Sequence, residues 1–570
     1  MLSRVCVVIL VLVMGGGLGC RKDSATPHVA ADIKVNNWFE DITASAGLDF
    51  VHDAGATGKY LVPEQMGSGC ALFDFDNDGR LDVYLIQNGG PASNSKNQLY
   101  QQQDDGRFKD VSANSGLDVA GFGMGVAVGD VNNDGLADVL FTEYGAARLF
   151  QNEGNAKFRE ITQAAGIDNP RWATSASFFD YDRDGWLDLV IGNYLDFDPS
   201  QKCIDSQGVQ DFCGPHGFPG LVAKLYRNAS RESGKMQFVD VTVPSGFARA
   251  PGPALGVLCA DFNADRWPDV FLADDGKPNR LFINKQNGTF VEEAALHGLA
   301  YNAMGQTAGN MGIAIGDVNA DGLFDIFVTH LTEELHALWI QGPRGAFQDR
   351  AAAMNLSRPL WRGTGFGAIL ADFDVDGDSD LAFVNGLVKR SRAQPSQPIP
   401  RLNSFWLPYA QRNQIFANDG GSFSEISLQN PVLCGQAIVG RGLACGDINN
   451  DGRPDLLVTG TAGPAQLLRN MTTNSGHWLV IRAVDPALGG RDAYGAEITI
   501  HTGSQRRWGL VQPGCSYLSS NDPRAHFGLG SASRIDSIHV VWPDGAEEEF
   551  PSIVPNQSIV LRKGSGKQVL

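Results

Sequence analysis

"DFDNDGRLD", residues 74 to 82, sets four aspartates into nine positions. Carboxylates this close repel one another unless a cation lies among them. The frame D-x-[DN]-x-D-G-x-x-D returns as "DVNNDGLAD" from Asp130, "DYDRDGWLD" from Asp180 and "DVNADGLFD" from Asp317. It appears again as "DFDVDGDSD" from Asp372 and "DINNDGRPD" from Asp447. A seventh copy, "DFNADRWPD" from Asp261, has Arg266 where the others have glycine. The starts lie 56, 50, 81, 56, 55 and 75 residues apart, a regular period broken by two insertions. Self-similarity at such a period marks a repeat architecture.

Each repeat reads as four strands. Small apolar runs such as "GSGCALF", "GMGVAVG" and "GFGAILA" precede the acidic loops and suit a crowded innermost strand. β-branched and aromatic runs such as "LDVYLIQN" and "LDLVIGNY" follow. A third element ("NQLYQQ", "ARLFQN", "KLYRN") and a fourth ("FKDVS", "FREIT", "FVDVT") complete the unit. Seven four-stranded units predict an all-β, seven-bladed β-propeller. The fourth-strand motif also occurs ahead of the first loop, as "FEDIT" from Phe39, and is missing after the seventh. The N-terminal strand is therefore expected to complete the last blade, leaving no open sheet edge. Alternating "WLVIRAV", "AEITIHT" and "SIHVVW" segments predict a small all-β unit at the C-terminal end.

Composition agrees. The 570 residues include 68 glycines and are 43% apolar, which suits packed cores with many tight turns. A formal charge of −19 argues against nucleic acid as a partner. The seven loops hold more than a third of the 64 acidic residues, so divalent ions in them would offset most of that charge.

Oxygen donors at loop positions one, three, five and nine, with a backbone carbonyl at seven, form a shell that suits Ca²⁺ over softer metals. The first three loops supply Asp74, Asp76, Asp78, Arg80 (carbonyl) and Asp82; Asp130, Asn132, Asp134, Leu136 (carbonyl) and Asp138; and Asp180, Asp182, Asp184, Trp186 (carbonyl) and Asp188. The fourth and fifth supply Asp261, Asn263, Asp265 and Asp269, then Asp317, Asn319, Asp321, Leu323 (carbonyl) and Asp325. The last two supply Asp372, Asp374, Asp376, Asp378 and Asp380, then Asp447, Asn449, Asp451, Arg453 (carbonyl) and Asp455. Position twelve is apolar in every copy, so these are strand-flanked calcium loops and not EF-hands. About six or seven structural ions are expected by this count of loops. The alternative is a set of Asx-turns without metal. Arg266 places the fourth loop in doubt, because a left-handed arginine costs about 1–2 kcal/mol.

Arg4, an apolar run from Val5 to Met14 and "GGGLGC" ending at Cys20 read as a secretory signal, residues 1–20. "GLGC" resembles a bacterial lipobox and makes Cys20 a candidate lipidation site, although Leu18 and Gly17 depart from that pattern. Localisation is read as extracytoplasmic: lipid-anchored to a bacterial cell envelope, or secreted. Membrane contact is then only through the anchor. Residues 21–37 read as a polar tether, 38–472 as the propeller, 473–562 as the C-terminal β domain and 563–570 as a tail. Cys203 and Cys213 share one loop and are the candidate disulfide.

The repeats resemble the FG-GAP/VCBS repeats of integrin α-subunits. Residues 470–562 are similar to the ASPIC/UnbV domain through "GHWLVIRA", "GGRDAYGAEITIHTG", "GCSYLSSNDPRAHFGLG" and "IDSIHVVWPDG". Together, in this order, they resemble the cartilage acidic protein family over nearly everything after residue 37. The resemblance implies a secreted calcium-binding propeller used in adhesion or matrix contact.

No catalytic constellation stands out, and "HLTEELH" from His330 has the wrong spacing for a metalloprotease helix. The expected function is a binding, adhesion or scaffold module. The alternatives are an extracytoplasmic enzyme, such as a polysaccharide-acting propeller working on the central face, and a purely structural surface component. A partner, protein or carbohydrate, is expected on the face opposite the calcium loops. Two insertions lie there, Asn193 to Lys224 and Asn385 to Asn413. They carry Tyr194, Phe197, Phe212, His216, Phe218, Phe405, Trp406 and Tyr409, with Lys389, Arg390, Arg392 and Arg401. Trp172 and Trp361 lie in neighbouring loops. These aromatics are read either as a binding surface or as packing for the loops.

Overall fold

The computed structural model describes residues 37–55, 58–392, 399–473 and 476–569. The signal, the tether and Cys20 lie outside the described residues. The described residues form seven antiparallel sheets, each with a four-stranded path and the fourth with an extra short strand, Ala308–Gly309, followed by a further group of strands. The innermost strands are Cys70–Phe73, Gly123–Gly129, Ala173–Phe179, Ala254–Ala260, Ile313–Gly316, Gly365–Ala371 and Gly440–Gly446. Each lies beside the innermost strand of the next sheet, and the last lies beside the first. These strands are almost wholly buried, as their small apolar composition requires.

The last sheet is completed by the N-terminal strand. Phe39, Glu40 and Asp41 pair antiparallel with Asn470, Arg469 and Leu468. The expected all-β fold with an N-terminal closing strand is therefore found.

The C-terminal strands make two sheets. In one, His477–Asp485 pairs antiparallel with Ala525–Gly530 and parallel with Gln557–Arg562. In the other, Glu497–Thr502 lies between Gln505–Leu510 and Ser537–Val541, which pairs in turn with Glu547–Phe550. Lys567 and Gln568, read from sequence as part of a tail, pair with Glu549 and Glu548 and extend this sheet. Apolar residues of both sheets, among them Ile481, Ile498, Phe527 and Trp542, share a core with the second and third blades.

Candidate functional site

The acidic loops join the first and second strands of all seven sheets. Position nine does the same job in each. Asp82 accepts the N–H of Phe75 at 3.1 Å within its loop and that of Gln102 at 2.8 Å at the end of the third strand. Asp138, Asp188, Asp269, Asp325, Asp380 and Asp455 repeat both bonds. The third-strand residue then reaches back one blade. Asn152 donates from Nδ2 to the Phe75 carbonyl at 2.8 Å, and Asn228, Asn284, Asn418 and Asn470 do the same to Val131, Tyr181, Val318 and Phe373. Gln102 and Gln341 use their longer amides on Ile448 and Phe262. A circuit of aspartate and amide thus runs round the whole ring. The sequence reading did not single out these amides, although the Asn or Gln ending each third-strand motif was the signal.

Positions one, three and five carry the charge. Asp74 accepts the N–H of Asp78 at 3.1 Å and of Gly79 at 2.9 Å, and the same pair of bonds shapes the other six loops. The loops then divide into two kinds. Where position three is aspartate, three carboxylates come together within 4.8 Å: Asp74, Asp76 and Asp78; Asp180, Asp182 and Asp188; Asp372, Asp374 and Asp380. Where it is asparagine, its amide donates to the aspartate at position five, as Asn132 does to Asp134 at 2.7 Å. Asn263, Asn319 and Asn449 behave alike toward Asp265, Asp321 and Asp451. Four loops therefore relieve part of their repulsion through the position-three amide, and three have a carboxylate there instead.

The donor set fits a hard divalent cation. Burial, then neighbouring acids, pushes Asp180 up to about 7 and Asp374 up to about 6, and holds Asp372 and Asp380 well above the usual carboxylate range. Asp374 Oδ1 is buried with no hydrogen-bond partner, an acceptor left over after the turn is satisfied. In the first and seventh loops the arginine at position seven folds back, Arg80 onto Asp78 and Arg453 onto Asp451. The carbonyls read from sequence at Arg80, Leu136, Trp186, Leu323, Asp378 and Arg453 follow the position-six turn in each loop.

Position four is left-handed in every loop: Asn77, Asn133, Arg183, Ala264, Ala320, Val375 and Asn450 have φ between 54° and 62°. Arg266 is left-handed too, at φ 71°, as the sequence reading feared. Its N–H still donates to Asp261 Oδ2 at 2.5 Å, and its guanidinium pairs with Glu547 of the C-terminal strands. Left-handed alanine is strained and asparagine tolerates the conformation. Ala320→Asn is expected to raise stability by about 0.5–1 kcal/mol, read as a higher denaturant midpoint; a lower midpoint would contradict the strain.

The C-terminal strands sit over these loops. Arg506 donates to the Asp321 carbonyl, Arg507 to that of Gly377 at 3.3 Å and Arg524 to that of Asp447 at 3.1 Å. His526 Nε2 donates to the Gly452 carbonyl at 2.7 Å. At Gly528 a Cβ would lie 1.6 Å from Asp372 Oδ2, so only glycine fits against the sixth loop.

Between these contacts, residues 513–522 fill the ring. The carbonyl of Ser520 accepts from Leu72, that of Leu518 from Val126 and that of Ser516 from Ile313. Cys445 donates to Asn521 Oδ1, Ala368 to Ser516 Oγ, and Leu518 donates to Ser175 Oγ. Six of the seven innermost strands are thus engaged by one segment. Gly69 and Gly125 make room for it, since a Cβ at either would approach Leu518 O to 2.1 or 2.7 Å. The channel, where the enzyme reading places its chemistry, is occupied by this plug.

On the opposite face the two insertions pack on each other. Phe212 stacks on Trp406 with ring centres 5.6 Å apart, and Asp211 accepts from Tyr409 Oη at 2.6 Å and from the Arg390 N–H at 2.8 Å. Trp172, Tyr194, Phe212, Phe218, Trp406 and Tyr409 are buried, whereas Phe197, Phe405 and Trp361 are half-buried. Most of these aromatics therefore hold the insertions down. Lys389, Arg392 and Arg401 are exposed, and Arg401 pairs with Asp49 at 2.8 Å. A disulfide joins Cys203 to Cys213. His330 is buried and His336 half-buried, linked by a bond from the His330 N–H to His336 Nδ1 at 2.9 Å.

Family models match parts of both the repeats and the C-terminal strands. Residues 74–141, 130–191 and 261–328 match the model of the FG-GAP-like repeat. Residues 488–568 match that of ASPIC and UnbV. The human cartilage acidic protein 1 is 27% identical over 368 residues, 61% of this chain, and the chain spans only half of its length. The mouse protein of that name is 25% identical over 526 residues, covering 86% of this chain and 74% of its own. A solved structure of BBS1N in complex with ARL6DN aligns over 77% of this chain and 99% of its own, with TM-score 0.40 and 8% identity. The sequence resemblance therefore holds: segments of this chain match the FG-GAP-like repeat and the ASPIC and UnbV model in that order, and the chain is similar to cartilage acidic protein 1.

Proposed function

We propose that this chain is an extracytoplasmic calcium-binding module for adhesion or scaffolding, with calcium structural in the blade loops. The observation that carries the reading is the gathering of three carboxylates within 4.8 Å at the first, third and sixth loops, two of the three being buried in the third and sixth. Calcium there would bring those charges together without repulsion and fix the turn between two strands. Asp74, Asp76 and Asp78, Asp180, Asp182 and Asp188, and Asp372, Asp374 and Asp380 would hold the tighter ions. The four asparagine loops would bind more weakly, because affinity follows ligand charge. The domain limits proposed are those of the sequence reading, with the C-terminal unit carried on to Gln568.

Calcium titration of the metal-free protein by calorimetry and metal content tests this. Three tighter sites and a weaker class are expected, with a rise in melting temperature on binding. No uptake at millimolar calcium would overturn it. The partner, protein or carbohydrate, would meet the insertion face through Lys389 and Arg392, which are exposed. Lys389→Glu with Arg392→Glu is expected to abolish partner binding at unchanged melting temperature; retained binding would remove that surface. The disulfide supports an oxidising compartment, and no helix among the described residues is long and apolar enough to cross a membrane.

A further inference from the structure

A cavity of about 610 Å³ lies between the first, second and seventh acidic loops and the C-terminal strands. That size is in the range of small-molecule sites, which cluster where two layers meet. Ser558 and Val560, on its outer wall, are exposed, so it opens to solvent.

One wall carries an arginine with no hydrogen bond or ion pair among the described residues. Arg491 is 4% exposed, and its Nε and Nη1 are buried with no hydrogen-bond partner. Other arginines on the wall are satisfied: Arg482 holds Asp492 at 2.6 Å and Arg524 holds Asp522 at 2.7 Å. Asp180, Asp130 and Asp485 act on Arg491 electrostatically, but none forms an ion pair with it among the described residues: Asp130 and Asp180 are engaged by their own loop N–H groups, and Asp485 by Lys563 and the Ala487 N–H. An arginine left in this state costs stability until an anionic acceptor reaches it.

The rest of the wall restricts what that acceptor can be attached to. Asp492 and Asp522, each committed to one arginine, keep lone pairs for hydroxyl donors and repel a second anion. Trp478, half-buried on this wall, offers aromatic surface for a ring. One negative group, several hydroxyls and an apolar ring face describe an acidic sugar.

We infer that this cavity binds a carboxylate-bearing monosaccharide unit, with its carboxylate on Arg491 and its hydroxyls on Asp492 and Asp522. The argument uses the cavity and the unpaired guanidinium, but Asp74 and Asp130, ligands in the calcium reading, also line the cavity, so binding is measured both with and without calcium.

The test is calorimetric titration of the purified protein with D-glucuronate, D-glucose and inorganic phosphate, each with and without calcium. Glucuronate is expected to bind at least about ten-fold more tightly than glucose or phosphate, a gap of about 1.4 kcal/mol. Arg491→Gln is expected to remove that preference. Because the buried site tolerates change poorly, Ser558→Trp provides a second variant: it narrows the mouth from an exposed position and is expected to abolish binding at unchanged melting temperature. No glucuronate binding to the wild-type protein, or equal binding of glucose, overturns the proposal. Phosphate binding as tight as glucuronate reduces the site to a simple anion pocket and overturns the sugar assignment. Calcium uptake is read separately in the same titrations, so a failure of the metal reading leaves this outcome distinct.

Discussion

A chain truncated after residue 473 is expected not to accumulate as a soluble monomer. The truncation removes the plug at residues 513–522, and with it the backbone bonds at Leu72, Val126 and Ile313 and the buried Tyr517 and Leu518. Each lost bond is worth about 1 kcal/mol net, and each buried side chain about 2 kcal/mol. Those losses alone approach the 5–15 kcal/mol, on the order of the whole, that holds a domain together. The truncation also bares the loop carbonyls that Arg506, Arg507, Arg524 and His526 cover. Size-exclusion chromatography and thermal melting of the two forms decide it. A truncated ring that stays monomeric and melts within a few degrees of the full chain would show that the plug is dispensable. A finer probe is Gly125→Val in the full chain, which drives a side chain toward Leu518 O and should lower the melting temperature sharply.

Asp380→Ala is expected to cost about 2–6 kcal/mol, because it leaves the buried N–H groups of Phe373 and Asn418 without an acceptor at about 1–3 kcal/mol each. Asn418 then loses the bond that positions it against the Val318 carbonyl of the neighbouring blade. Asp380→Asn keeps one acceptor and should recover about half of the loss in folding free energy. Urea unfolding of the three proteins with metal chelated measures the hydrogen-bond component alone. Repeating it in calcium measures what a cation proposed for the sixth loop would add. If Asp380→Ala unfolds at the wild-type midpoint in both conditions, the position-nine aspartate is a bystander and the circuit contributes nothing.

The two classes of acidic loop were legible to different degrees. The four-strand unit, the closing strand at Phe39 and the turn glycines follow from a repeat that can be read by eye. The side chains at position four were passed over because the frame leaves that position open, yet the ring of left-handed residues there includes Val375, which sequence preference alone would never put at φ 62°. The "GCSYLSSNDPRAHFGLG" block could be matched to a domain but not explained, because its partners are main-chain groups on strands from 70 to 450 residues earlier in the chain. Backbone donors carry no signature in sequence, so no local reading of that block predicts a plug. The aromatics of the two insertions show the opposite limit. Their type was visible, but whether Phe212 and Trp406 face a partner or each other depends on two loops meeting across the ring.

Chain order gives the plug a further meaning. The ring cannot close until residue 470 has been made, since Phe39 at one end waits for Asn470 at the other. The segment that fills it arrives later still. The first strand therefore stays unpaired through most of synthesis, and the last sixth of the chain finishes a structure that the preceding residues only outline. Damage near the C-terminus, even a short deletion, should accordingly register as loss of the whole molecule and not as loss of one domain.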